Sequence, residues 1–328
     1  MPAQSIASAS SSSMNADPTD QLGVTDFPAP ACRLSARHRE WIAAYLFLAP
    51  DFLGLLVFVG LPMLMALTIG FFDVNGFGTF TFIGVDNYRR MMADPLFWQC
   101  LKVTATYVVL LVPALYVTGL GLALLVQRTN RVNAIARSMF FAPQVVSLVV
   151  IAVIWQLMSS DKIGIIARLF SSIGLGGVSL LGDPSLALYA VVLISVWFLM
   201  GFYMLIFLGG LQDIPKEYYE AARIDGATNI QGFWYITLPM LRPTSFFVLL
   251  VSLVAAVAGS QAFDLIYVMT KGGPANSTQV AIVYIYQQAF HYSAFGYAAA
   301  MASILVVILL ALTALLFALT HGGRFNYG

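Results

Sequence analysis

Apolar and polar positions divide this chain into a polar start, six long apolar stretches and the polar connections between them. The stretches cover about 42–72, 104–126, 138–158, 186–211, 244–267 and 298–320. A bilayer core takes about 20 predominantly apolar residues to cross as a helix. Helices are the default because each satisfies its own backbone hydrogen bonds where there is no water. Pro50, Gly54, Pro62 and Pro113 interrupt the first two stretches and are tolerated where other helices surround them. The expected fold is an all-α membrane protein with six transmembrane helices over 41–321. Before it, 1–40 is a Ser-, Ala-, Asp- and Pro-rich tail with no apolar period, too polar to fold alone. Residues 322–328 form a short tail at the other end. No basic segment precedes a short apolar run at the start, so the tail is not a signal peptide, and Met14 is an alternative start.

The stretch 280–297 is shorter and holds Gln287, Gln288, His291 and Ser293. It reads as an amphipathic or re-entrant segment at the outer face. With the N-terminus inside, Lys and Arg divide ten to the inner segments and six to the outer ones. The 127–137 connection, with Arg128, Arg131 and Arg137 and no acid, is the clearest inner loop. Both termini are therefore expected in the cytoplasm.

Composition agrees. Hydrophobic residues make up 60% and charged residues 9%, where a soluble domain carries about 25% charged. Net charge is +1, which leaves no electrostatic footprint for nucleic acid. Cys32 and Cys100 fall on opposite sides of the expected membrane, and His38, His291 and His321 are scattered. No metal-ligand spacing or nucleophile–base pair emerges. No G-x-x-x-x-G-K-[ST] sequence is present, so the chain holds no P-loop for ATP.

The longest inner loop, 212–242, is the informative one. Pro215 suits the first turn of a helix and Glu217 complements its positive end. Lys216–Glu220 and Glu220–Arg223 sit four and three apart. Gly226 supplies the positive φ that ends the helix, and Thr228 with Gln231 fits a capping box for a second one. The second helix cannot continue past Pro239. Tyr218, Tyr219, Ile224, Phe233, Trp234 and Ile236 give this elbow an aromatic and apolar face rimmed by charge. Such a face fits protein docking or an amphipathic hairpin on headgroups equally well.

Glu220-Ala221-Ala222, Asp225-Gly226-Ala227 and Ile236-x-Leu238-Pro239 together resemble the EAA loop of ABC importer permeases. Met269-Thr270-Lys271-Gly272-Gly273-Pro274, Phe295-Gly296-Tyr297-Ala298-Ala299-Ala300, Phe47-Leu48-Ala49-Pro50 and Phe82-Ile83-Gly84-x-x-Asn87-Tyr88 are similar to the carbohydrate-uptake group. The resemblance covers about 42–320 and implies a type I ABC importer permease fold in a bacterial plasma membrane. It implies that the elbow is a coupling helix docked on a cytoplasmic ATPase subunit, one of a dimer. A second homologous permease and an extracytoplasmic solute-binding protein complete the assembly. The chain itself then carries no cofactor, with ATP and Mg2+ on the partner ATPase. The solute would be an oligosaccharide, amino sugar, polyol or glycerol-3-phosphate.

Polar and aromatic residues within spans are costly and mark candidate solute contacts. They are Gln144 and Ser147 in the third span, Trp197 and Tyr203 in the fourth, and Ser260, Gln261 and Asp264 in the fifth. Each has a plainer reading. Trp197 serves equally as a lipid or packing contact, and Ser260 can bond its own helix. Relatives with a defined site carry asparagines in this part of the fifth span, where Gly259, Gln261 and Ala262 stand here. Asp51 reads as structural. The competing class is an ion-coupled secondary transporter or channel, which needs intramembrane ionisable groups along a path; Asp51 and Asp264 are the candidates.

Overall fold

The computed structural model describes residues 36–76, 78, 80–160, 164–172 and 179–320. Most of the expected 1–40 tail, the 322–328 tail and Cys32 therefore lie outside the described residues, while residues 36–40 open the first helix. Two compact units divide the chain between Gly60 and Leu61. In the first, helix α1 (Ala36–Leu55) carries Pro50 and runs into a π-helical turn, Leu56–Gly60. The described side chains of α1 are exposed or half-buried, Asp51 among the exposed.

The second unit begins with α2 (Leu61–Ile69), a two-stranded antiparallel hairpin of β1 (Phe72–Val74) and β2 (Phe80–Phe82), and α3 (Asp86–Met92). The long helix α4 (Pro95–Val126) then traverses the molecule. It starts nine residues before the apolar run does. Asp94 accepts the Leu96 N–H at 2.9 Å, and Pro95 needs no donor partner in a first turn. At its other end, the Arg137 guanidinium donates to the Val126 carbonyl from Nε (3.1 Å) and Nη2 (2.7 Å), satisfying an orphaned helix-end acceptor. An arginine of the 127–137 loop thus caps a span.

The third apolar stretch is two helices, α5 (Arg131–Val145) and α6 (Leu148–Met158), bent by 91° at the Val146–Ser147 break. A running average of hydropathy cannot see this bend, although Pro143 lies two residues before the end of α5. After α7 (Ile165–Ser172), α8 (Ala187–Gln212) forms the centre of the core. The elbow follows: α9 (Lys216–Ile224), α10 (Asn229–Gly232), a π turn (Phe233–Thr237) and α11 (Leu238–Met240). The fifth stretch is α12 (Arg242–Ala258) and α13 (Ser260–Met269), separated by Gly259 in an extended conformation. Last come α14 (Ala281–Tyr286), a π turn (Gln287–His291) and α15 (Phe295–Leu319). The 280–297 stretch is accordingly no single helix. Among the described residues, four helices are long and apolar enough to cross a membrane, and up to six spans result if each sharply bent pair counts as one.

The core lies where α4, α8, α12 and α13 meet. Tyr107, Leu111, Leu115, Phe198, Met204, Phe207, Val248, Leu265 and Ile266 are buried there. Lipid tails are as apolar as leucine, so helix association leans on close packing and on hydrogen bonds between helices. Both are present. Tyr107 and Ser195 hydroxyls lie 2.9 Å apart between α4 and α8, and Tyr116 and Ser245 hydroxyls 2.9 Å apart between α4 and α12. At Gly201 of α8 a Cβ would collide with the Phe140 carbonyl of α5, so only glycine permits that crossing.

Candidate functional site

The elbow is built by local rules. Helix α9 has Glu217 in its first turn and Arg223 in its last, which suits the helix dipole. It ends in a Schellman arrangement: Gly226 N–H donates to the Arg223 carbonyl (3.1 Å) and Ala227 N–H to the Ala222 carbonyl (2.8 Å). Gly226 adopts φ +80, a conformation costly for a residue with a Cβ. The capping box is complete, with Thr228 N–H to Gln231 Oε1 at 2.7 Å and Gln231 N–H to Thr228 Oγ1 at 3.3 Å. Across the elbow, the Tyr219 hydroxyl lies 2.9 Å from that of Thr237, and Thr237 Oγ1 donates to the Gly232 carbonyl at 3.3 Å.

Its face divides in two. Tyr219, Phe233 and Ile236 are half-buried against the core, whereas Tyr218, Ile224 (87% exposed) and Trp234 (59%) point away from it. Lys216, Glu220 and Arg223 form no ion pair with one another among the described residues. Of the motif positions, Glu220, Ala221, Asp225 and Gly226 are exposed, and Ala222, Ile236, Leu238 and Pro239 are half-buried. Beside them is a cleft of about 800 Å³, lined by Gln127, Arg128, Lys216, Tyr219, Arg223 and Thr237 among others. It separates the elbow from the end of α4.

The seven candidate contacts within spans fall in three places. Gln144 is half-buried next to the α5–α6 break, its Oε1 buried without a hydrogen-bond partner among the described residues, and Ser147 is exposed as the residue before α6. Trp197 packs edge-on against Trp155, with ring centroids 5.6 Å apart. Tyr203 is 1% exposed, and its Cβ and backbone lie close against Gly119 of α4. Gln261 and Asp264 are half-buried on α13, and neither side chain has a hydrogen-bond partner among the described residues. Ser260 opens α13, and its side chain lies outside the described atoms. Helices α6 and α13 touch through Gln156 Nε2, which donates to the Met269 carbonyl at 3.3 Å.

Residues 115–322 match the family model described as the binding-protein-dependent transport system inner membrane component. The chain belongs to this family. Similar curated proteins include a probable ABC transporter permease protein of Bacillus subtilis (YesP), 37% identical over 284 residues, 85% of this chain and 90% of that one. Another is the lactose transport system permease protein LacF of Rhizobium radiobacter, 32% identical over 295 residues, 88% and 97% of the two chains. A crystal structure of a bacterial alginate ABC transporter, in complex with an alginate pentasaccharide-bound periplasmic protein, contains a chain of the same fold. The TM-score is 0.75 at 23% identity, covering 86% of this chain and 95% of that one. The chain is thus a multi-pass membrane permease with the mostly helical ABC importer fold, to which the β1–β2 hairpin adds two short strands.

At the far end of α4 from the elbow, the permease has a second polar construction that the apolar pattern did not reveal. Asp94 Oδ2 accepts hydrogen bonds from the Tyr284 and Tyr297 hydroxyls, each at 2.7 Å. Burial pushes the Asp94 carboxyl up, but those two bonds and the Leu96 and Phe97 N–H groups outweigh it and leave its pKa lowered. The Arg90 guanidinium lies 4.4 Å from the Tyr297 ring centre. Nearby, Thr104 Oγ1 accepts the Ala281 N–H at 2.8 Å. These contacts fasten α14 and α15 to the start of α4.

Proposed function

We propose that this permease is the membrane subunit of an ATP-driven importer for a carbohydrate or a closely related solute, its elbow seated on a cytoplasmic ATPase subunit. The single observation that carries this reading is the exposed face of the elbow. Tyr218, Ile224 and Trp234 are held in the open by a Schellman end and a capping box, an exposure that brings no benefit to the chain's own core. The solute class is supported by the lactose-transport relative and by the Thr270–Pro274 and Phe295–Tyr297 segments. Both termini are assigned to the cytoplasm on the distribution of Lys and Arg.

In this reading ATP and Mg2+ belong to a dimeric ATPase, one subunit of which holds this elbow while the other holds that of a second, homologous permease. A solute-binding protein delivers the load from the opposite side. ATP-driven closure displaces α9. The Tyr219–Thr237 contact and the half-buried Phe233 and Ile236 carry that displacement to α12, which touches α4 through Tyr116 and Ser245. The rocking needs a bistable packing, and the breaks at Val146–Ser147 and Gly259 are where two arrangements of otherwise rigid helices can meet. Gln144, Ser147, Trp197, Gln261, Asp264, Ser260 and Tyr203 remain the side chains proposed for the solute path.

Co-purification tests the central claim. The tagged permease, expressed with the products of its genomic neighbours, should bring down an ATPase subunit. Gly226→Val, which places a β-branched side chain at φ +80, should lose it while still reaching the membrane. An absence of any ATPase with the wild type would sink the reading.

A further inference from the structure

Helix α13 holds the path candidates Gln261 and Asp264, and its next turn meets the π turn 287–291, a segment assigned no role above. The Phe263 and Tyr267 rings of α13 stack at 5.2 Å and 11°. Tyr286 closes on both, at 5.0 and 5.1 Å, and Phe290 follows at 4.9 Å from Tyr286. His291 Nε2 lies 3.2 Å from the Tyr267 hydroxyl. The wider π winding brings Phe290 and His291 to the same side as Tyr286, and such local windings recur at functional sites. Gln287 pins the turn, accepting from Gln279 Nε2 (2.6 Å) and donating to the Lys271 carbonyl (3.3 Å).

The cluster is open on one side. Phe290 is 64% exposed and His291 is exposed, while Tyr267 and Tyr286 are half-buried. Asp264 precedes Tyr267 by three residues, one turn along the same helix, and its carboxylate makes no hydrogen bond to the described residues. An array of ring faces with an imidazole, a phenol hydroxyl and a carboxylate matches the two demands of a sugar. Its C–H faces need apolar, flat partners, and its hydroxyls need a few placed acceptors and donors.

We propose that Tyr267, Tyr286, Phe290 and His291, continued by Asp264, form a carbohydrate-binding platform at the end of α13, receiving the solute before it enters the solute path proposed above. This inference rests on the carbohydrate reading given above. The occupant is a pyranose ring lying on the exposed Phe290 side, with Asp264 and His291 reaching its hydroxyls. A girdle of aromatics that only meets headgroups, or a face that docks another protein, predicts a different outcome.

The test uses the whole importer in proteoliposomes, with labelled lactose, maltose, trehalose and glycerol-3-phosphate as probes. The wild type first identifies which probe is taken up with ATP. For that probe, Phe290→Ala and His291→Ala should each lower solute moved per ATP hydrolysed by about tenfold, as expected for a lost stacking or hydrogen-bonding contact. ATPase stimulation by the loaded binding protein should stay within about twofold. Tyr292→Ala, next in sequence and 69% exposed but outside the ring cluster, should transport as the wild type does. A parallel loss of ATPase stimulation would assign the cluster to partner docking, and unchanged transport would assign it to the headgroup girdle; either overturns the platform. If the wild type moves none of the four probes, the carbohydrate reading itself fails and the platform falls with it. A wild type that transports while the variants behave as just described for docking or girdle leaves that reading standing and removes the platform alone.

Discussion

The two ends of α4, about 48 Å apart at 1.5 Å per residue over 32 residues, are built on opposite plans. At the Asp94 end the chain closes on itself through bonds between residues 190 and 203 positions apart, Asp94 to Tyr284 and Tyr297. At the elbow the hydrogen bonds are local, none of those described above spanning more than the 18 positions from Tyr219 to Thr237. One end is internally finished. The other keeps its own shape while leaving Ile224 and Trp234 exposed and Lys216, Glu220 and Arg223 without an ion pair to one another among the described residues. A region that is ordered yet unfinished is what a docking element requires, since little ordering entropy remains to oppose binding.

Mutations at the two ends should separate accordingly. The largest effect is expected at the finished end. Asp94→Ala removes the α4 cap and strands two tyrosine hydroxyls, a loss of about 3 kcal/mol in unfolding of the detergent-solubilised protein. Acid should attack the same contact. Asp94 binds fewer protons when folded than when unfolded, so its contribution is complete above the ordinary carboxylate value of about 3.9 and is lost as pH falls through the lower folded value. Between about pH 4 and pH 2 the melting temperature of the wild type should therefore drop more steeply than that of Asp94→Asn; parallel curves would show that the carboxylate is not held as described.

At the elbow, Tyr219→Phe gives up one hydroxyl contact, costing about 1 kcal/mol, visible as faster hydrogen exchange across 216–224 with the global melt nearly unchanged. The smallest stability effect belongs to Ile224→Ser, within about 0.5 kcal/mol of wild type because the side chain is already in the open. That same substitution should cut recovered ATPase several-fold. If it instead destabilises the isolated permease as much as Asp94→Ala does, the contrast between the ends is wrong.

The elbow was readable in advance because its determinants are neighbours in sequence. Gly226 ends one helix and Thr228 with Gln231 starts the next, each within a few residues of its partner, and all are found in those roles. Pro215 shifted by one place, preceding α9 rather than opening it. The apolar runs located the helices of the bundle, since burial in lipid and burial in a core demand the same residues. They could not locate the 91° bend at Val146–Ser147 or the break at Gly259, which leave mean hydropathy unaltered. Nor could they show the Asp94 contacts, because a partner some 200 positions away leaves no local mark. Among the span candidates, Tyr203 and Trp197 look alike in sequence, and only the structure distinguishes the fully buried Tyr203 from Trp197, which rests on Trp155 and stays exposed.

The glycine at 201 has a kinematic consequence. With no side chain between them, α8 and the Phe140 carbonyl of α5 meet at backbone distance, a contact that resists sliding of one helix past the other. Helix α6 is hydrogen-bonded to α13 through Gln156 and Met269, and it also meets α8 through the Trp155–Trp197 ring contact, which a shift between α6 and α8 would have to slide. Any relative motion of α5 and α6 must be absorbed by the two residues Val146 and Ser147 that join them. The third apolar stretch is therefore less a pillar than a knee, with its thigh and shin strapped to different parts of the machine.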